Sequence, residues 1–157
     1  MSNVLYQMPK GMEGYAQILE GAVKTLKPYL GEAAKVGDIK LVNTFPVSYG
    51  ANQIIEGEKK ILCALLEKNG GLLFAAGNFA GENFRAIDEE DALDAAGELL
   101  NYISGSYAAD LSMNGTQCEL LPPDYGNVDV SYKPKQLCSA EIRSGEKKVD
   151  FLIGVLG

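Results

Sequence analysis

The sequence predicts an α+β fold: two similar halves, each a long helix followed by strands, sharing one mostly antiparallel sheet with the helices packed on a face. Three observations carry this expectation. Apolar residues recur at helical spacing over 12–30 and again over 88–113. Each stretch is followed by short apolar runs cut by glycine, asparagine and serine. The two sets of runs also resemble one another. Ile61-Leu62-Cys63-Ala64 and Leu72-Leu73-Phe74 are echoed by Gln136-Leu137-Cys138-Ser139 and Phe151-Leu152-Ile153, and Pro46-Val47-Ser48-Tyr49-Gly50 by Pro123-Asp124-Tyr125-Gly126, at offsets of 75 to 79 residues. At 157 residues the chain is the size of one domain, 1–157, with halves at about 8–77 and 86–157.

In the first half, Tyr15, Ile18, Leu19, Ala22, Val23, Leu26 and Leu30 share one face of the 12–30 helix. Gly31 is its expected stop, and Pro28 is expected to kink or fray its last turn. Residues 38–45 read as a strand, and 51–57 as a loop or short strand. The runs 59–67 and 71–76, split by Asn69-Gly70-Gly71, read as a β-hairpin. The glycine-punctuated stretch 77–85 has room for a short helix. In the second half, Asp88-Glu89-Glu90-Asp91 place carboxylates at the start of the 88–113 helix, where they suit its dipole, and Asn114-Gly115 end it. Four strands are expected after it: 116–121, 126–133, 135–143 and 147–156, with Ser144-Gly145 turning the last pair. The final run, Val149 to Leu156, is apolar on nearly both faces, which predicts a central strand or one at a subunit contact.

Composition excludes several function classes. There is no histidine, so Ser-His and Cys-His nucleophiles and histidine-ligated metals are ruled out. A net charge of −7 argues against binding nucleic acid by phosphate neutralisation. No run reaches the 18 or so apolar residues a membrane helix needs, and the start lacks a signal-peptide pattern. Cys63, Cys118 and Cys138 are odd in number and match no zinc spacing, which predicts reduced thiols and a cytoplasmic protein.

Chemistry concentrates on the 88–113 helix. At 100° per residue, Ala92, Ala96, Leu99, Leu100, Ile103 and Tyr107 form its core face. Asp94, Glu98, Asn101 and Gly105 line the opposite side at i, i+4, i+7 and i+11. Between Ala86 and Tyr132 there is no lysine or arginine, whereas an ordinary solvent face mixes signs. Gly97 and Gly105 each cost the helix about 1 kcal/mol against alanine, and Gly105 would let another surface approach closely. The stripe is read either as a docking face or as a solvated acidic face with incidental glycines.

A resemblance favours the first reading. Asp94-x3-Glu98-x2-Asn101-x21-Pro123 is similar to the signature of the CheC, CheX and FliY chemotaxis phosphatases, and Leu93 to Gly105 looks like that family's helix. The resemblance implies a CheC-like fold and a protein phosphatase acting on the phosphoaspartate of a CheY-like receiver domain. It implies that Asn101 orients the attacking water and that Glu98 pairs with the receiver's active-site lysine. Asp94 and Gly105 would contact the partner, and Pro123 would be structural. The resemblance implies no cofactor in this chain, with Mg²⁺ supplied by the receiver, and a homodimer as in CheX-like members. In the first helix the corresponding pattern is Glu13-x3-Gln17-x2-Glu20, with Val42 where proline is wanted, so a single site is expected. Two rival readings stand beside this one. A non-catalytic adaptor for receivers or flagellar switch components would not need the Glu98–Asn101 pair. A divalent-cation site at Asp88–Asp91 lacks the alternating ligands and turn glycine of a calcium loop.

Overall fold

The computed structural model describes residues 6–46, 48–81, 88–128 and 134–156. A single 3-10 turn, Glu13–Tyr15, leads into α1 (Ala16–Leu30). Strands β1 (Lys35–Leu41), β2 (Ser48–Glu56) and β3 (Lys60–Lys68) follow, then α2 (Gly71–Phe79) and α3 (Glu89–Met113). The chain ends with β4 (Glu119–Leu120), β5 (Asp124–Val128), β6 (Gln136–Ser144) and β7 (Lys147–Val155).

The strands form one sheet in the order β1-β6-β7-β3-β2-β4, with β5 also pairing β2, and every pairing is antiparallel. The order is close to symmetric about the central β7–β3 pair. Hairpin β2–β3 and hairpin β6–β7 meet there, and each is flanked by the outer strand of the other half, β5 beside β2 and β1 beside β6. The two-half α+β architecture therefore holds, but the strand correspondence read from the sequence does not. β6 occupies the place of β2, not of β3, and Leu72-Leu73-Phe74 lie in α2 whereas Phe151-Leu152-Ile153 lie in β7.

Alternation divides the sheet residues between two faces. Ala51, Ile55, Cys63, Leu65, Cys138, Ala140, Ile142, Phe151 and Ile153 share one core with α1, α2 and α3. Leu62, Ala64, Leu66, Val128, Leu137 and Leu152 form a second cluster, with Val42 and Phe45 packed against it. The apolar last strand is explained by this placement: β7 is central, with residues 149–155 all buried within the chain itself.

Several boundaries moved. The expected strand at 71–76 is the start of α2. Gly70 has φ +80°, and the Glu67 carboxylate accepts from the Gly70 and Leu73 N–H groups, which turns the chain into a helix. Leu72, Ala75 and Ala76 are then buried at helical spacing. The true hairpin joins β2 to β3, so of residues 51–57, read as a loop or short strand, 51–56 belong to a nine-residue strand and Gly57 begins the turn. The strand expected at 38–45 runs Lys35–Leu41, with an irregularity between Val36 and Ile39. Pro28 lies inside α1, which continues to Leu30 before the Gly31 N–H bonds the Lys27 carbonyl. The 116–121 strand shrinks to Glu119–Leu120, and 126–133 becomes Asp124–Val128, with 129–133 outside the described residues. The stretch 77–85 contributes the end of α2, and residues 82–87 lie outside those described.

Candidate functional site

Helix α3 is held from its start. The Asp88 side chain accepts the Glu90 N–H at 3.2 Å, with Glu89, Glu90 and Asp91 in the first turn. This is a helix cap, and among the described residues no group of three or more His, Cys, Asp or Glu could hold a metal ion. Ala92, Ala95, Ala96, Leu99, Leu100, Ile103 and Tyr107 are buried, so rotation of α3 about its axis is fixed by its apolar face. Asp94, Glu98 and Asn101 consequently stand exposed on the far side, with Glu98 and Asn101 one turn apart.

After α3 the chain doubles back alongside it. From Gly97 to Met113 the helix rises about 24 Å, and the extended return from Gly115 to Pro123 covers about 27 Å. A Cβ placed on Gly97 would lie 3.8 Å from the Pro123 ring and 3.9 Å from Tyr125, and one on Gly105 would lie 3.8 Å from Leu120. The long spacing from Asn101 to Pro123 is thus the length of a loop that returns proline to the flank of the helix. Gly105 is half-buried against Leu120 of its own chain, so part of the space beside it is already taken.

Behind the exposed pair lies a residue that the sequence reading did not single out. Gln53 of β2 is only 1% exposed. Its Nε2 donates to Asn101 Oδ1 at 2.7 Å and to the Leu121 carbonyl at 2.8 Å. One amide thereby ties the catalytic-candidate helix to the returning chain. The signal was present: on the inward face of β2, Gln53 is the polar residue between Ala51 and Ile55. Its register partner Cys63 is also buried, and burial pushes that thiol up to about 12, against a smaller opposing effect of the Ser104 hydroxyl. Cys138 is likewise pushed up to about 11 by burial, so neither thiol is a thiolate nucleophile at neutral pH.

Aromatic rings flank the site. Tyr102, next to Asn101, is 64% exposed and meets Phe79 edge-on, while Tyr49 and Tyr125 are exposed on the paired strands β2 and β5. The first helix offers nothing comparable. Glu13 accepts the Gly11 N–H at 2.7 Å, and Gln17 Nε2 donates to Asp110 of α3 at 2.8 Å, so both side chains are engaged within the chain. Among the described residues no helix is long and apolar enough to cross a membrane.

The family described as "Chemotaxis phosphatase CheX" matches residues 49–128, a span that contains Gln53, Asp94, Glu98, Asn101, Gly105 and Pro123. Among solved structures, a chain of the CheX-CheY-BeF3-Mg²⁺ complex from Borrelia burgdorferi is similar with a TM-score of 0.72 and 19% identity, over 90% of this chain and 97% of that one. A CheC-like superfamily protein from Shewanella sp. PV-4 gives 0.71 and 20%, over 90% and 96%. A chemotaxis protein CheX from Desulfovibrio desulfuricans gives 0.67 and 18%, over 90% and 97%. At such identities these structures show the shared fold. A search of curated proteins gave no match. The family match takes in half of the chain, from β2 through α3 to β5, and the chain belongs to the chemotaxis phosphatase CheX family.

Proposed function

We propose that this protein hydrolyses the phosphoaspartate of a CheY-like receiver domain, with Asn101 and Glu98 entering the receiver's active site from α3. The observation that carries the reading is the pairing of an exposed carboxylate and an exposed carboxamide one turn apart, with the carboxamide hydrogen-bonded from behind by Gln53. The wider support is family membership and the occurrence of a receiver-containing complex among the similar folds.

The chemistry asks little of the phosphatase chain. The water oxygen bonds to phosphorus, the bond from phosphorus to the aspartyl oxygen breaks, and the products are inorganic phosphate and a free carboxylate. The receiver's Mg²⁺ neutralises charge, so this chain's task is positioning and electrostatics. An amide supplies an acceptor and two donors at fixed angles and does not take up a proton at neutral pH. Asn101 therefore orients the water. Glu98 anchors the helix against the receiver's lysine, a charge-assisted contact that sets register. Asp94 is a peripheral contact, and Pro123 keeps the returning chain against Gly97. The protein works in the cytoplasm as a homodimer; the exposed edge strand β1, with Leu41 53% exposed, offers a strand-pairing surface.

The test is the rate of acyl-phosphate loss from phosphorylated receivers with and without the protein. Asn101→Ala is expected to remove the stimulation while leaving complex formation measurable, and Glu98→Ala to weaken binding. Full stimulation by Asn101→Ala would overturn the assignment. Binding of a receiver with no phosphate release by the native protein would favour an adaptor. Light scattering reports the dimer.

A further inference from the structure

We infer that Gln53 is a positioning residue that sets which way the Asn101 carboxamide faces, an inference that rests on the proposed role of Asn101. One group in the network has no choice of role. The Leu121 backbone carbonyl can only accept, so the Gln53 atom 2.8 Å from it must be the amide nitrogen. That nitrogen has a second hydrogen, and it points at Asn101, 2.7 Å away. The atom of Asn101 that receives it must be Oδ1. Backbone thus fixes Gln53, and Gln53 fixes Asn101, across 48 positions of sequence.

The consequence is chemical. A free surface asparagine presents either end of its amide to a ligand. Here one lone pair of Oδ1 is committed inward, and Nδ2 makes no hydrogen bond among the described residues. The arriving receiver meets an amide whose two donors are free and whose acceptor keeps one lone pair. A water and a phosphoryl oxygen would be met by defined atoms, without the cost of choosing between two amide orientations at each encounter.

Two further observations separate this role from plain packing. Gln53 Oε1 is buried and has no hydrogen-bond partner among the described residues, so the side chain leaves an acceptor unmet that an apolar residue would not have. In the other half, β6 takes the place of β2, and its buried residues facing the helices are Cys138, Ala140 and Ile142, all apolar. Of the glutamines on these two strands, Gln53 is buried beneath the helix that carries Glu98 and Asn101, whereas Gln136, at the start of β6, is half-buried and lies beside Gly11.

The experiment uses the full chain with Gln53→Met and Gln53→Glu. Gln53→Met keeps length and burial but donates nothing. It is expected to lower kcat for receiver dephosphorylation by about 10- to 100-fold, with KM within about twofold and the melting temperature close to native. The side-chain amide resonances of Asn101 should shift in the unbound protein. The carboxylate introduced by Gln53→Glu would turn the Asn101 amide around, with Nδ2 inward, giving a different shift and a kcat no higher than that of Gln53→Met. Native kcat in Gln53→Met, or Asn101 amide signals unmoved by both variants, overturns the inference. If the native protein releases no phosphate from any receiver, the proposed function fails instead. The amide resonances then still report whether Gln53 holds Asn101.

Discussion

Gly97 and Gly105 sit inside α3, where glycine is costly, and the structure says what each could accommodate. A methyl at Gly97 would touch Pro123 and Tyr125 at 3.8–3.9 Å, and one at Gly105 would touch Leu120 at 3.8 Å. These are ordinary van der Waals separations, and neither glycine has a positive φ. Alanine in a helix interior is favoured over glycine by about 0.8–1.0 kcal/mol, and burying part of a methyl adds up to about 0.8 kcal/mol. Each substitution should therefore stabilise by about 1–1.5 kcal/mol. The positions are about 12 Å apart along the axis, so Gly97→Ala and Gly105→Ala should add to roughly 2–3 kcal/mol. For a chain of this length the double variant should melt about 5–10 °C higher. Thermal unfolding by circular dichroism gives the first reading, and receiver binding gives the second. An unchanged or lower melting temperature would mean that α3 lies too close to the returning chain for a methyl, and the packing argument would fail. If Gly105→Ala melts higher but binds the receiver tenfold more weakly, the missing side chain serves the partner. Unchanged binding would assign it to Leu120 alone.

Other expectations test different parts of the molecule. At Gly50 a Cβ would fall on the Leu65 carbonyl oxygen, and at Gly71 on that of Lys148; both obstacles are backbone, so either glycine to alanine change should destabilise by about 3 kcal/mol or more, measured by urea unfolding. Alkylation of the native protein should label Cys118 ahead of Cys63 and Cys138, which are buried with raised thiols; mass spectrometry showing equal labelling would contradict the burial. Asp150 is buried on β7, and desolvation raises its carboxyl above the ordinary value of 3.8, with Lys68 at 3.7 Å opposing. A raised carboxyl contributes stability in full below its ordinary value and loses that contribution as pH rises through the folded value. Asp150→Asn should then be more stable than native at neutral pH and lose that advantage by about pH 3, since Lys68 keeps its 2.8 Å bond to Glu141. Denaturant midpoints showing the same difference at both pH values would refute this.

Local pattern carried far where the signal was long and periodic. The 88–113 helix was legible to within a residue because its apolar positions, acidic start and Asn114-Gly115 stop agree over seven turns. Asp94, Glu98 and Asn101 were placed on one exposed face by the same periodicity. The run Leu72-Leu73-Phe74-Ala75-Ala76 is short and apolar, and such a run fits the strand period as well as the helical one. What decided for a helix was the Glu67 carboxylate and the tight approach of Gly71 to Lys148. The internal repeat is visible in the sequence but its strand correspondence is not, since likeness between two β-strands says nothing about which neighbour each one finds.

By itself the sequence determined the α+β class, the one long helix and the outward stripe of a carboxylate and a carboxamide, because these follow from backbone geometry within a few residues of each side chain. Tertiary structure alone decided that β7 and β3 meet at the centre, that Pro123 returns to Gly97, and that a glutamine from β2 holds the Asn101 oxygen. Each of those is a contact between distant segments, and a hydrogen bond or a methyl-sized gap exists only once the sheet has fixed where both partners lie.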